Sequence, residues 1–261
     1  MGKALLAALL VAVSWAAGAQ TRSPGSNVQN DGNDPLTPKA AIELQDYVQP
    51  VLNAEPGSGA NQGLVRGVLP HDALGWPQIM RASLPVADTA YGPTGSTTGL
   101  GDLTVYDVPL VFIDKAKFGV GPLLVAPTST SRALGDGKWQ GGVEAIASAQ
   151  HDWGLTAGLL SYQKAFDGGA ELINAQPLLF YNLGNGYYLR SSGIAAFDLV
   201  KHTSVVPVGL GLGRVFPLAN GRVINTFVEP QYAVLRAGDG VPTFQVFVGF
   251  NIQFPLGSFG R

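Results

Sequence analysis

Residues 243–254 read TFQVFVGFNIQF, and their alternation decides the fold. Phe244, Val246, Val248, Phe250, Ile252 and Phe254 form one unbroken apolar row at period two. Thr243, Gln245, Phe247, Gly249, Asn251 and Gln253 form the other. Strict alternation predicts a β-strand with one apolar and one mainly polar face. A soluble strand usually runs to about five or six residues, and a tilted strand needs about 9–11 to cross a bilayer. This stretch is long enough for the second.

Working back towards the N-terminus, the same texture repeats. From Ala41 the chain falls into twelve apolar stretches: 41–53, 61–70, 74–85, 100–113, 117–126, 138–150, 152–164, 171–183, 186–199, 203–217, 221–235 and 242–254. Gly, Pro, Asn or Asp marks each boundary, and no extended helical period competes. The breaks alternate in length. Those expected to be tight are PHDA at 70–73, the region near Asp114, HD at 151–152, LGNG at 183–186 and LANG at 218–221. The two Asn-Gly pairs suit two-residue hairpins, whose central residues need positive φ. EPGSGA at 55–60, VADTAYGPTGSTT at 86–98 and TSTSRALGDG at 128–137 read as long loops. An even number of strands, short turns on one side and long loops on the other, is the arrangement of bacterial transmembrane barrels. The predicted fold class is therefore all-β, an antiparallel up-and-down barrel in which 242–254 pairs back to 41–53.

Polar residues keep to one parity where the stretches are informative. Gln140, Glu144, Ser148 and Gln150 oppose Trp139, Val143, Ala145 and Ala147; Asn225, Glu229 and Gln231 oppose Ile224, Val228 and Tyr232. The stretches at 61–70, 100–113, 117–126 and 203–217 leave parity open. A soluble sandwich alternates too. Its outward faces, however, carry Lys and Glu, whereas these carry Gln, Asn, Ser and Gly. Trp139, Trp153, Tyr187 and Phe254 stand at strand ends, where membrane girdles belong. Arg66, Arg81, Glu144, Arg190, Asp198, Asn225, Glu229 and Gln231 are the expected lumen-lining residues, their mixed signs implying charges paired inside a constricted interior. Mutual structural pairing and a role in solute passage are both compatible with that pattern.

The N-terminus agrees with export. Lys3, an apolar run from Ala4 to Trp15 and Ala17-Gly18-Ala19 read as a signal peptide over 1–19. Residues 20–38 are Ser, Asn, Asp, Gly and Pro with little to bury, and read as a flexible arm before a barrel over 39–254 and a short tail at 255–261. Removing 1–19 removes Lys3 alone, which leaves 15 basic and 18 acidic residues and a net charge of −3. That balance does not suit nucleic acid. Charged residues make up 13% of the chain, against about 25% in soluble domains, as a sheet with one face in lipid requires. With no Cys, neither a lipid-anchored cysteine nor a disulfide framework is available.

Gly249-x-x-Ile252-x-Phe254 resembles the C-terminal assembly signal of outer-membrane barrels. It departs in two respects: Pro255 to Arg261 follow the aromatic, and Phe247 stands where a polar residue is usual. The chain as a whole resembles a family of Gram-negative outer-membrane proteins. The resemblance is carried by NDPLTP at 33–38, NQGLVRGVLP at 61–70, GWPQIMRASLPV at 75–86, GLGDLTVYDVPLVF at 99–112, GVGPLLVAPTST at 119–130 and GKWQGG at 137–142. QPLLFYNLGNGYYL at 176–189, VPVGLGLGRVF at 206–216 and NTFVEPQYAV at 225–234 continue it in order. Members are labelled as transporters, as proteins of the "MetA-pathway of phenol degradation" or, misleadingly, as "neuromedin U". The resemblance implies transport of aromatic or hydrophobic solutes, with outer-membrane lipid and the barrel-assembly machinery as partners. It supplies no catalytic, cofactor or metal residues.

Nor do the residues point to enzyme chemistry. His71, His151 and His202 fall in separate breaks, which argues against a metal cluster. His202 with Ser204 is the one local candidate for a hydrolase pair. Gly209-Leu-Gly211-Leu-Gly213 imitates a dinucleotide loop but lies within a strand and precedes no helix. It reads as glycines facing inward with Val206, Val208, Leu210 and Leu212 facing out. The expectation is a non-enzymatic passive channel, with a non-conducting structural barrel as the alternative and an outer-membrane hydrolase behind both.

Overall fold

Every strand pairing in the computed structural model is antiparallel, and the last strand returns to the first. The structure describes residues 27–93 and 95–255. The expected signal peptide at 1–19, the start of the expected arm and all of the expected tail but Pro255 lie outside the described residues. A short helix, α1 (Val28–Asn33), precedes β1 (Lys39–Leu52), β2 (Gly59–Ala73), β3 (Trp76–Gly92), β4 (Gly95–Gly99) and β5 (Leu103–Ile113). There follow β6 (Ala116–Ala126), β7 (Gln140–His151), β8 (Gly154–Ala165), β9 (Glu171–Gly184), β10 (Tyr187–Ser191) and β11 (Ala195–Asp198). The chain ends with β12 (Thr203–Gly209), β13 (Gly211–Pro217), β14 (Val223–Ala237) and β15 (Pro242–Pro255).

Three barrel strands are interrupted. β4 and β5 both pair with β3, β10 and β11 both pair with β9, and β12 and β13 both pair with β14. The fifteen segments are therefore a closed antiparallel barrel of twelve strands. Its seam is β1 on β15, running from Lys39↔Pro255 to Leu52↔Pro242. Closure satisfies the backbone of both would-be edges, which hydrocarbon surroundings would otherwise leave unpaired.

Turn chemistry corrects several boundaries. PHDA is not a break: β2 runs through it, and the hairpin turns at Leu74-Gly75, both with positive φ (54° and 79°). His151 likewise ends β7, and the turn is Asp152-Trp153. Asn185-Gly186 forms the expected two-residue turn, with φ of 51° and 82°. The second Asn-Gly pair does not; it sits in a short 3-10 turn over Ala219–Gly221. The stretch 86–98 is not a loop either, because β3 and β4 extend as a hairpin through it.

Parity resolves in all twelve strands. Val120 is 60% exposed and Leu210 66%, and both face outward with Leu44, Leu69 and Val111. Asp46 is an exception on this outer face, hydrogen-bonded to the Asn61 side chain of the neighbouring strand. Aromatics mark both rims: Trp76, Phe112 and Tyr181 at the short-turn end, Tyr91, Trp139 and Phe166 at the loop end. Arg214 stacks on Tyr187 and Phe216 at the first rim, and Arg236 on Tyr232 towards the second. Such amphipathic pairs keep a charged head in water above an apolar stem.

The strands whose parity was open turn out to have apolar residues on the inside as well. Val68, Val108, Leu110 and Val125 are buried in one cluster with Ile79 of β3 and with Leu36, which precedes the barrel. Inward glycines make room for large neighbours. A Cβ on Gly213 would lie 2.2 Å from the Tyr188 ring, and one on Gly209 2.4 Å from a Glu229 carboxylate oxygen.

Residues 27–38 are ordered, which composition did not foresee. Asn27 caps α1 by accepting from the Gln29 N–H, and Asn30, Gly32, Asp34, Leu36 and Thr37 are buried inside the short-turn end of the lumen. A segment with few apolar groups cannot hold itself in water. Here a polar interior supplies partners instead. Asn225 Nδ2 donates to Gly32 O (2.9 Å), Asn182 Nδ2 to Asn30 Oδ1 (2.8 Å), and Lys117 Nζ to Asp34 Oδ2 (2.6 Å).

Candidate functional site

Alternation along the strands builds two neighbouring spaces inside the barrel. The outer one, about 1410 Å³, rises to the loop over residues 129–138. The inner one, about 90 Å³, lies against Gly32 to Pro35 and Thr37. Arg66, Arg81, Leu159 and Gln176 line both spaces and so form the partition between them.

Of the eight residues expected in the lumen, Arg66, Arg81, Glu144 and Asp198 line the outer space, and Arg190 and Asn225 line the inner one. Glu229 and Gln231 are fully enclosed in the wall, at 0% and 1% exposure. Asp198 sits near the loop rim, where its Oδ1 accepts from the Val200 and Lys201 N–H groups and closes the turn into β12.

Two distinct polar arrangements result. The first is a satisfied network in the wall. Glu229 accepts from Arg190 Nε (2.7 Å), Ser192 N–H (2.8 Å), Ser192 Oγ (2.6 Å) and Gln231 Nε2 (2.9 Å). Ser192 lies in the gap between β10 and β11, and its carbonyl takes Gln176 Nε2 (2.9 Å). Side chains thus replace the ladder bonds that the interruption removes, as buried backbone groups require. Gln245 donates to Gln231 Oε1 and Gln49 to Gln245 Oε1, carrying the amide chain up to the outer space.

The second arrangement is in the partition. Arg66 donates to Gln45 Oε1, and the Arg81 guanidinium lies 4.8 Å from the Tyr106 ring centre. Among the described residues no carboxylate stands within ion-pair distance of either arginine, in contrast to Arg190 with Glu229 and Lys117 with Asp34.

Several members of the site broke the alternation pattern or lay outside the expected strands. Phe247, the apolar intruder in a polar row, faces inward and stacks on Tyr47 at 4.0 Å, with Phe227 edge-on at 4.8 Å. The Arg190 guanidinium lies 3.5 Å over the Phe227 ring. Gly249, across the ladder from Phe227, leaves space for that ring, since a Cβ there would lie 2.3 Å from it. Lys117 and Asp34 carried no signal, their pairing depending on where residues 27–38 enter.

His71 contacts Asp107 (3.1 Å) and His151 stacks on Trp153, while exposed His202 has positive φ in a turn. Among the described residues no hydrogen bond joins His202 to Ser204, and no group of three or more His, Asp or Glu is placed to hold a metal. Gly209, Gly211 and Gly213 face Glu229 and Tyr188.

No family model and no curated protein matches the chain, so the likeness to transporters of the phenol-degradation label rests on the quoted residues alone. Among solved structures, the chain is similar to an outer membrane channel from Pseudomonas putida F1, at 15% identity and a TM-score of 0.64, covering 90% of this chain and 100% of that one. An anion-selective porin from Comamonas acidovorans overlaps at 9% identity and a TM-score of 0.39, covering 83% and 97%. The first likeness is one of fold, and the second is too slight to bear on it.

Proposed function

We propose that this chain is a passive outer-membrane channel for small organic solutes, aromatic or hydrophobic in character, seen with its short-turn end closed. The observation that carries the reading is the outer space of about 1410 Å³, which exceeds the usual size of a small-molecule pocket and mixes apolar with polar walls. The outer face of exposed apolar side chains and the rim aromatics support placement in lipid. Export by the N-terminal signal, and assembly through Gly249, Ile252 and Phe254, belong to the same reading. Outer-membrane lipid and the assembly machinery are the partners it implies.

Residues 27–38 favour a second reading, a non-conducting barrel, because they occupy the short-turn end of the lumen and are hydrogen-bonded to it. Planar-bilayer recordings of the refolded chain, with and without residues 27–37, separate the two. The channel reading expects a small conductance that rises when the segment is removed. A closed intact barrel would establish the second reading instead, whether or not removing the segment opens it.

A further inference from the structure

We propose that the partition is a carboxylate-binding site, made by Arg66 and Arg81, that admits amphipathic organic acids with the apolar part lying along the outer space. The proposal rests on reading the lumen as a solute passage, and it names the class of solute.

Arg66 stands opposite Ser83 and Arg81 opposite Val68 across the β2–β3 ladder. Both side chains point inward, so the two guanidinium groups are diagonal neighbours on one face, within reach of a single small anion. An arginine stays charged under all conditions of interest, and its fork matches a carboxylate in two parallel hydrogen bonds. These two have no carboxylate of their own. The Nε atoms of both are buried without an acceptor, and so is the hydroxyl of Tyr47, which lines the same space. Three donors without acceptors beside one space are unusual, because buried polar groups are nearly always paired. What the two arginine Nε atoms lack is an acceptor within hydrogen-bond distance.

The neighbouring acids set the limits. Glu43, directly across the ladder from Arg66, takes Gln45 Nε2 at 3.1 Å. Glu144 lines the outer space from β7 and makes no ion pair among the described residues. These two carboxylates hold the local charge down, so the layer suits one carboxylate better than a multiply charged phosphate. Above it, Leu64, Leu123, Val125, Leu159, Ile194 and Pro207 supply apolar wall. A ligand with a charged end and an apolar body meets both surfaces at once, whereas acetate meets only the first and a neutral aromatic only the second.

The test is calorimetric titration of the refolded full chain in lipid nanodiscs, free of detergent, with benzoate, benzamide and acetate. Benzoate should bind at least about tenfold more tightly than either of the others, the size expected when charge-assisted hydrogen bonds are added. R66Q and R81Q should each weaken benzoate about tenfold and leave benzamide unchanged, and E144Q should strengthen benzoate. R66K and R81K keep the charge and lose the fork, and should fall between. Heat-shifted mobility on a detergent gel reports whether each variant has folded. The comparison of benzoate with benzamide needs no variant. Equal binding of benzoate and benzamide, binding of acetate as tight as benzoate, no binding of benzoate, or indifference to R66Q and R81Q in folded barrels would each overturn the proposal. Binding in nanodiscs requires no conduction. A sealed barrel that binds benzoate therefore sinks the passage reading alone, and a conducting barrel indifferent to benzoate sinks the site alone.

Discussion

Replacing Glu229 by Ala should be among the most damaging single changes in the barrel. Glu229 has no exposure and accepts four hydrogen bonds, from Arg190, from both the N–H and the hydroxyl of Ser192, and from Gln231. Its loss leaves the Arg190 guanidinium buried with Ser192 Oγ, the Tyr188 side chain and the Phe180, Phe227 and Phe247 rings, and with no carboxylate. Breaking a buried ion pair from one side costs about 3–5 kcal/mol, since the surviving charge stays desolvated. The Ser192 N–H would also lose its partner in the gap between β10 and β11, at about 1–3 kcal/mol if water does not reach it. The two losses overlap, so the expected destabilisation is about 3–6 kcal/mol. E229Q keeps one acceptor oxygen and the shape, and should cost less than E229A. R190M combined with E229L removes both charges and should recover much of the loss, as well-packed apolar replacements of buried pairs do. Equilibrium urea unfolding of the reconstituted barrel, followed by its heat-modifiable mobility, measures all three. A loss below about 1 kcal/mol in E229A would mean that water or a rearranged strand already serves Arg190, and the wall network would then not be what closes the ladder gap.

Lys117→Met should free residues 27–38, because the 2.6 Å pair with buried Asp34 ties that segment to β6. About 3–5 kcal/mol for a broken buried pair corresponds to a shift of about a hundredfold or more in the balance of open and closed forms. Single-channel open probability in K117M reads this directly, and no change would show that the segment is held by its amide contacts alone. Gly249→Leu should destabilise the folded barrel by about 1–3 kcal/mol through overpacking against Phe227. Phe254→Ala should instead lower the amount of barrel assembled in cells while leaving urea stability nearly unchanged. Equal stability loss in both variants would mean that Phe254 acts through packing and not as part of an assembly signal.

The barrel was legible in the sequence because alternation, turn residues and rim aromatics are local signals that agree with one another. Strand number and closure followed from them. The interior was less legible, and the reason is physical. Parity reads cleanly only where one face is polar, and this lumen is polar on part of its wall and apolar on another. Val68, Val108 and Val125 pack inside around Leu36, so their strands look apolar on both sides. Residues 27–38 failed for the converse reason. A segment poor in apolar groups reads as disordered on the assumption that folding means burial in oil, but here the interior offers amides and charges.

Phe247 shows how such a departure can carry information. In the row Thr243, Gln245, Gly249, Asn251 and Gln253 it looks like an error in an assembly signal. Inside the barrel it is one face of an aromatic cluster with Tyr47 and Phe227, whose second purpose is to seat Arg190. Gly249 is accounted for by the same cluster, since the Phe227 ring occupies the space of its missing side chain. A glycine and an aromatic two residues apart on an inward face are thus explained by packing without any targeting role. Of the three signal positions, Ile252 and Phe254 belong to the opposite row, and it is on them that the assembly reading now depends.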